Sequence, residues 1–186
     1  GCGICGASFA GRSSDPGIQV SFKNSPCPAD QAKALASLNA VCGTLTVPAK
    51  RREPTVGKVQ LPVVIVPAKA QPPEPDPVVC MAGGPGANAI AQAQDLVNMG
   101  LNEKRDLIIM NQRGVAYTVP NLACPELDMT FAAAIALPYD SPVAETRHVA
   151  ATKACRDRLV AHGVDLSAFN TRENAADFAD LRKALK

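Results

Sequence analysis

Three glycines and a proline follow a short apolar run in the segment VVCMAGGPGANAIAQAQDLVNMG (78–100). A strand, a glycine turn and a helix in this order can bind a ligand through backbone N–H groups. Residues 84–89, GPGANA, fit the dinucleotide pattern G-x-G-x-x-A. The same turn could instead hold the negative oxygen of a reaction intermediate. It could also be a tight turn in which glycine only supplies a positive φ.

The dinucleotide interpretation lacks the acidic residue that it needs. Folds of that type hold the ribose with an Asp or Glu about 20 residues beyond the glycines. Here the next apolar run ends in Asn111-Gln112-Arg113, although Arg113 could in principle meet a 2′-phosphate. Such folds also usually start at the glycine-bearing strand, whereas 77 residues precede Val78. A Walker-type phosphate loop is excluded, because no Lys-Ser or Lys-Thr pair follows the glycines.

An oxyanion hole accounts for both Gly84 and Pro85. Acyl transfer builds negative charge on a carbonyl oxygen, and in an α/β-hydrolase a backbone N–H from the loop after the third strand helps to hold that charge. Glycine lets the substrate approach the backbone closely, and proline stiffens the loop so that its donors are preorganised. One such donor lowers the barrier by roughly 3–4 kcal/mol.

The composition excludes several classes of partner. Lys and Arg number 19 against 17 Asp and Glu, and no run of five or six like charges occurs, so neither a nucleic-acid groove nor a polybasic membrane patch is supported. No apolar stretch approaches the roughly 18–20 residues that span a bilayer. Seven cysteines in 186 residues indicate an oxidising compartment. We therefore expect one extracytoplasmic domain without a transmembrane segment.

Proline separates two halves of the chain with different secondary structure. Twelve of the 16 prolines lie at or before Pro85, so short strands and turns are predicted for about the first 80 residues. An extended or flexible arm is predicted for residues 1–26, a short helix for 28–38, and a hairpin of two strands within 42–70. Pro62 favours an edge position for the second of these strands.

From Val78 onwards the pattern alternates between strand and helix. The run 77–81 predicts a buried strand, and 105–114 predicts a second one that ends in a turn. The helix between them has an apolar face of Ile90, Ala93 and Val97. Gly100 is its expected C-cap. A strand–turn–helix–strand order predicts a parallel sheet covered by helices.

Two helices are predicted in the last third of the chain. The first spans 141–163 and ends at Gly163. Its core-facing stripe is predicted to contain Ala144, His148, Ala151, Cys155 and Leu159. The second begins after Asn170 or Thr171, with Glu173 placed to interact with the positive helix terminus. Its predicted apolar face contains Ala175, Phe178, Leu181 and Leu185.

Four separated blocks together resemble one family. They are CGTLTVPAKRREPTVGKVQLPVVIV (42–66), PVVCMAGGPG (77–86), RDLIIMNQRGVAYTVPNLACPEL (105–127) and ACRDRLVAHGVDLSAFNTRENAADFADLRKAL (154–185). The chain resembles the N-terminal half of the secreted proline-iminopeptidase/tripeptidyl-aminopeptidase family of α/β-hydrolases. The resemblance implies an α/β fold in which residues 27–186 form the N-terminal part of a hydrolase core. Its sheet would have a β-rich, proline-containing start, then parallel strands with crossover helices, and would be incomplete.

The resemblance also implies the site residues. The family's pattern (H/A)GGPG occurs here as AGGPG, so Gly83 and Gly84 would supply the oxyanion hole. The family's next block, D-Q-R-G-x-G-x-S, occurs here as NQRGVAYT. Asn111 replaces Asp and so loses a charge, which puts in doubt any ionic role at that turn. Ala116, which replaces Gly, is a second departure from the pattern.

Two disulfides are implied by the same resemblance, Cys27–Cys42 and Cys124–Cys155. Each would stabilise the fold by roughly 3–4 kcal/mol on the chain-entropy model. Free buried thiols are the alternative. Three cysteines would be left over: Cys2, Cys5 and Cys80. Cys80 is interpreted as a small buried hydrophobic residue, and the lone C-x-x-C at the start of the chain is weak evidence for zinc. No metal or organic cofactor is implied.

The family's catalytic Ser, Asp and His have no counterparts in this sequence. It contains no G-x-S-x-G, and the nucleophile elbow is expected beyond Lys186. His148 and His162 lie in a predicted helix and are interpreted as structural. We expect part of a secreted or extracytoplasmic (periplasmic or cell-envelope-associated) serine aminopeptidase that releases N-terminal residues or tripeptides. This part would be inactive alone and would need the C-terminal half, in the same precursor or as a second chain. The alternatives are an esterase or lipase on the same fold, or a non-catalytic binding module.

Overall fold

A mixed five-stranded sheet organises the chain in a computed structural model that describes residues 19–84, 86–138 and 140–185. The strands are β1 (Ser21–Asn24), β2 (Val41–Pro48), β3 (Lys58–Val66), β4 (Val78–Cys80) and β5 (Leu107–Met110). Their order across the sheet is β1-β2-β3-β5-β4. β4 and β5 pair in parallel, and the other neighbours pair antiparallel. The predicted α/β class, with its parallel crossover, is confirmed at this level.

Helices connect and flank the strands. They are α1 (Ala32–Ser37), α2 (Ala93–Asn98), α3 (Pro125–Ala134), α4 (Pro142–Ala161) and α5 (Thr171–Leu185), with short 3-10 turns at Ile90–Gln92 and Leu166–Ala168. Gly100 follows α2 with a φ of 80°, as predicted for its C-cap. α1 is shorter than predicted, because the Gln31 N–H bonds to Pro28 O in a turn that precedes it. No helix among the described residues is long and apolar enough to cross a membrane.

Both faces of the sheet are covered, which explains the continuous apolar runs of β3 and β5. Side chains alternate between the two faces along a strand, so neighbouring residues belong to different cores. The first core, under α1 and α2, contains Leu35, Val64, Val66, Ile90, Ala93, Leu107 and Ile109. The second core, under α5, contains Leu45, Leu61, Val63, Ile108, Met110 and Leu181.

Pro62 lies in a central strand, so the prediction of an edge position is wrong. β3 has β2 on one side and β5 on the other. Alternate residues of a strand direct their N–H groups to the same side. Pro62 therefore faces the same side as Gln60, which exchanges backbone hydrogen bonds of 2.8 and 3.0 Å with Val119. Because pairing with β5 begins only at Val63, the missing N–H of Pro62 falls in a gap between two partners.

β4 is an edge strand, and the prediction that residues 77–81 form a buried strand is wrong. Among the described residues, only β5 pairs with it. The Val79 side chain is 46% exposed, and that of Met81 is 55% exposed. Cys80 is half-buried and packs against the first core. An apolar run alone does not show whether a strand has one neighbour or two.

The first half of α4 packs away from both cores, so the core-facing stripe predicted for this helix is only partly right. Its buried residues are Ala151, Cys155 and Leu159. His148, predicted on the same stripe, is exposed. Its ring lies edge-on to that of Phe131 in α3, with the centroids 5.3 Å apart. The outer half of α4 therefore packs on a neighbouring helix that the sequence analysis did not predict.

α5 faces the sheet with two acids and a leucine rather than with a fully apolar stripe. The Asn170 side chain caps it, because Oδ1 accepts the Glu173 N–H at 3.0 Å. The buried residues of α5 are Glu173, Asp177 and Leu181. Ala175 is exposed, which contradicts its predicted place on the apolar face. Phe178 and Leu185 are half-buried against the second core, as predicted.

Both disulfides expected from the resemblance are present. Cys27–Cys42 ties the segment after β1 to β2, and Cys124–Cys155 ties the start of α3 to α4. Within the predicted N-terminal arm, residues 21–24 form β1 and pair with β2. Cys2 and Cys5 lie outside the described residues. Each disulfide therefore joins a residue outside the regular elements to one within a strand or a helix.

Candidate functional site

The glycine turn after β4 is open and sharply bent. Gly84 and Gly86 have φ values of 81° and 91°, which residues with a Cβ rarely adopt. The Ala87 N–H closes the turn on Gly84 O at 2.9 Å. No atom lies within 4 Å of the position that a Cβ would take on Gly83, Gly84 or Gly86. A ligand can therefore approach this backbone closely. Pro85 lies outside the described residues.

Gly83 and Gly84 offer two backbone donors to this open space. Both residues are exposed. Within residues 19–84, 86–138 and 140–185, neither N–H is hydrogen-bonded to an acceptor. Successive backbone N–H groups in a tight turn form a concavity that suits an anion. The geometry of this turn can therefore stabilise a negatively charged oxygen.

A cleft of about 510 Å³ lies beside the turn. Its walls are the glycine turn, the segment after β5 and the first turn of α5. The lining includes Gly83, Gly84, Gln112, Val115, Leu122, Phe169 and Asn174. The Oδ1 atom of Asn174 is buried and has no hydrogen-bond partner in the described part of the chain. The volume is in the range of small-molecule sites, and the lining mixes apolar side chains with polar residues that include Arg113.

Asn111 links the end of β5 to the segment after the turn. It is fully buried. Its Oδ1 accepts the Ile90 N–H at 3.2 Å, and its Nδ2 donates to Asn88 Oδ1 at 2.9 Å and to Ala116 O at 2.8 Å. The backbone partners fix the orientation of the amide, since Ile90 offers an N–H and Ala116 offers a C=O. Asn111 therefore acts here through hydrogen bonds and not through charge.

The Arg113 guanidinium is engaged in contacts within the protein, so it is not available to a 2′-phosphate. Its Nε and Nη2 bind the two carboxylate oxygens of Asp177 at 2.8 and 2.7 Å. Its Nη1 donates to Ala49 O and Ala168 O at 2.7 and 2.6 Å. The side chain is 2% exposed. Arg113 thus joins the β2–β3 connection, the turn after β5 and the start of α5.

Arg51 completes a buried ionic cluster on α5 that the sequence analysis missed. Its guanidinium contacts Glu173 at 2.6 Å, Asp177 at 2.8 Å and Asp180 at 2.7 Å. Burial alone lowers the pKa of Arg51, but the hydrogen bonds to Asp177, Asp180 and Glu173 outweigh it and raise the pKa above its ordinary value. A signal was present, because acids at 173 and 177 share a helix face with Leu181.

A second ion pair joins the β2–β3 connection to the loop before α5, and it gives a pH prediction. Lys50 pairs with Asp165, whose Oδ1 also accepts the Ser167 N–H at 3.0 Å. The Lys50 contact, followed by the Ser167 bonds, lowers the pKa of Asp165 from 3.8 to about 2. Because the folded-state pKa is depressed, this carboxylate stabilises the fold above about pH 4, and that contribution is lost as the pH falls through about 2.

We expect carbon-detected NMR titration to place the Asp165 carboxyl near pH 2 in the folded protein. In a Lys50→Met variant the pKa should rise towards its ordinary value but stay below it, because the Ser167 bonds remain. A midpoint at the ordinary value in the unaltered protein would contradict the ion pair.

The turn after β5 carries two residues with positive φ. Gly114 has a φ of 83° and Tyr117 a φ of 65°. The Tyr117 hydroxyl donates to Asp30 Oδ2 at 2.6 Å, and this bond lowers the pKa of Asp30. Burial raises the pKa of Tyr117, and the hydrogen bond to Asp30 raises it further. Tyr117 therefore connects the turn after β5 to the segment before α1.

Neither histidine is among the residues that line this cleft. His162 is the C-cap residue of α4, and its Nδ1 lies 2.7 Å from Arg158 O. One group of potential metal ligands occurs in the described chain, Cys124, Glu126 and Cys155. Both of its sulfurs are in a disulfide, and the Arg158 guanidinium holds the Glu126 carboxylate at 2.6 Å. This group is therefore unsuited to a cation.

Of the residues assigned to chemistry, the structure brings Gly83 and Gly84 to one open cleft, beside Gln112 of the segment after β5. Arg113 also lines that cleft, and Asn111 holds the segment after the turn. No family model matches the chain, and no curated protein matches it either. What the molecule does is therefore inferred from its own residues and their geometry.

Proposed function

We propose that this chain supplies the oxyanion-hole turn of a serine hydrolase with an α/β-hydrolase fold. The observation that carries the proposal is the pair of N–H groups at the exposed residues Gly83 and Gly84, which bind no acceptor in the described part of the chain. They lie between β4 and the helix that crosses to parallel β5. In such hydrolases one oxyanion donor lies in the loop between the third strand and the helix after it. β4 is the third strand of residues 27–185, since β1 precedes that segment.

The proposed chemistry is acyl transfer without a metal or organic cofactor. A serine oxygen attacks a carbonyl carbon, and the electron pair of the C=O bond moves onto the oxygen. The N–H groups of Gly83 and Gly84 hold that oxyanion. Collapse of the intermediate releases the leaving group with a proton, and water then removes the acyl group from the serine. The chain contributes the donors, while the nucleophile, its base and its acid belong to the C-terminal half of the hydrolase.

Two surface features support a polypeptide partner of this kind. The outer edge of β4 has no paired strand among the described residues. Beside it lies an apolar groove of about 580 Å³, lined mainly by Ile65, Val79, Met81, Ile108, Phe178 and Leu181. A further strand on β4, with a helix packed behind it, would cover both. Uncovered, an apolar sheet edge favours aggregation.

The resemblance favours a secreted or extracytoplasmic aminopeptidase, and both disulfides agree with an oxidising compartment. Hydrolysis of a tripeptide anilide, compared with hydrolysis of the ester of the same acyl group, separates a peptidase from an esterase or lipase. We expect the native polypeptide that contains residues 1–186 to turn over the anilide. Turnover of the ester alone would reject the peptidase and retain the hydrolase.

A serine-directed fluorophosphonate tests the hydrolase proposal itself. Treatment of the native polypeptide, followed by peptide mapping, should find one labelled serine in a G-x-S-x-G sequence outside residues 1–186. Labelling of a serine within residues 1–186, or no labelling of the folded protein, would reject the proposal. The second result, with the chain folded and monomeric alone, would favour a non-catalytic binding module.

A further inference from the structure

The segment after the glycine turn is held by core packing and by side-chain amides. Ala89 and Ile90 are buried in the first core. Asn111 Oδ1 accepts the Ile90 N–H at 3.2 Å, and Asn88 Oδ1 accepts the Ala91 N–H at 3.3 Å. Before the turn, β4 pairs with β5, and Gln112 Nε2 donates to Ala82 O at 3.5 Å. Asn111 therefore hydrogen-bonds the segment after the turn to the end of β5.

The two amides also bind each other. Asn111 Nδ2 donates to Asn88 Oδ1 at 2.9 Å and to Ala116 O at 2.8 Å. Asn88 Oδ1 thus accepts from Asn111 as well as from Ala91. The pair therefore joins the residue after β5 to the segment after the turn.

Asn111 must both accept and donate to make its three hydrogen bonds. A carboxylate at the same place would accept the Ile90 N–H, but its second oxygen would face two acceptors, Asn88 Oδ1 and Ala116 O. The Asn88 amide can turn over, whereas a backbone carbonyl cannot. Ala116 O would therefore stay opposite an oxygen in the buried interior, where an unmatched polar pair is costly.

We infer that Asn111 is the positioning residue of the oxyanion turn, and that its neutral amide, paired with Asn88, is required for that role. The residue that the resembled family has here, Asp, will not replace it in this chain. The neutral Asn111, which stands where the family has a charged Asp, can donate to the acceptors of Asn88 and Ala116. The catalytic consequence of this inference rests on the proposed function, whereas its structural consequence does not.

Two readouts on the native polypeptide test the inference, hydrogen exchange of residues 82–92 and the rate of reaction with a fluorophosphonate. Asn111→Asp should speed exchange in that segment and slow phosphonylation, each by about tenfold or more, because at least one buried hydrogen bond is replaced by repulsion. Asn88→Ala removes one acceptor without adding charge, so it should change both rates in the same direction by less. If Asn111→Asp does not fold, the two rates measured for Asn88→Ala test the inference instead.

Two control variants separate positioning from general stability. Asp30→Asn makes the opposite chemical change at an exposed acid outside the Asn111–Asn88 contacts and keeps an acceptor for Tyr117, so both rates should stay within about twofold. Val97→Ala loosens the core contact of α2 without touching the amides, and it should leave phosphonylation unchanged.

Unaltered exchange in folded Asn111→Asp, or equal slowing of phosphonylation by Val97→Ala, would overturn the inference. If the unaltered protein does not react with the phosphonate, the proposed function fails. In that case exchange alone still decides whether Asn111 positions the turn.

Discussion

Asp177→Ala is expected to lower the free energy of unfolding by about 3–5 kcal/mol, because it leaves a buried arginine without its counter-charge. Asp177 is fully buried and bonds to both Arg113 and Arg51. The Arg113 side chain is 2% exposed, so water cannot replace the carboxylate. Urea unfolding of the native polypeptide, followed by circular dichroism, measures the change. The midpoint should fall with little change in slope.

Two further variants distinguish this cause from a general sensitivity of α5. Asp180→Asn removes a charge that contacts Arg51 and no other arginine of the described residues, at 13% exposure, and should cost about 1 kcal/mol. The pair Arg113→Met with Asp177→Leu removes both buried charges together, and it should cost less than Asp177→Ala alone. Equal losses in Asp177→Ala and Asp180→Asn would contradict the cluster as described.

Gly84→Ala is expected to reduce kcat/KM by about 10²–10³-fold, the usual loss when one oxyanion donor is removed. The φ of Gly84 is 81°, a value that residues with a Cβ rarely adopt, so the added methyl group favours a different backbone conformation that displaces the N–H from the cleft. No atom lies within 4 Å of the new methyl group, so a clash is not the cause. Steady-state hydrolysis by the native polypeptide measures the effect.

Gly163→Ala is the matched control for backbone strain. Gly163 follows α4 with a φ of 78°, is exposed, and also has no atom within 4 Å of the position that a Cβ would take. It should cost about 1 kcal/mol of stability, as Gly84→Ala does, and leave kcat/KM unchanged. Wild-type kcat/KM in Gly84→Ala, or an equal loss in Gly163→Ala, would remove the special role of the turn.

Local chemistry explains what the sequence analysis predicted correctly. The glycine turn, the Gly100 and Asn170 caps and the parallel crossover each depend on residues close together in the chain. The turn contains glycines because its backbone has positive φ, and the sequence alone shows glycine at these positions. The disulfides were implied by the resemblance, since seven cysteines allow many pairings.

The features that sequence reasoning missed depend on partners far along the chain. Arg51 and Asp177 are 126 residues apart, and nothing local shows that acids on α5 are neutralised and buried. Pro62 tolerates a central strand because its missing N–H coincides with a gap between Val119 and β5. At His148, α4 packs on α3 and not on the sheet, and the side chain stays exposed. The alanine-rich sequence of α3 gave no periodic signal for this helix.

The most direct test of the account is a crystal structure of the phosphonylated native polypeptide that contains residues 1–186. A phosphonyl oxygen stands where the carbonyl oxygen of a tetrahedral intermediate would lie. The account predicts this oxygen about 2.7–3.1 Å from the backbone nitrogen of Gly83 or Gly84. A phosphonyl oxygen held by other donors, with both glycine N–H groups facing solvent, would contradict it.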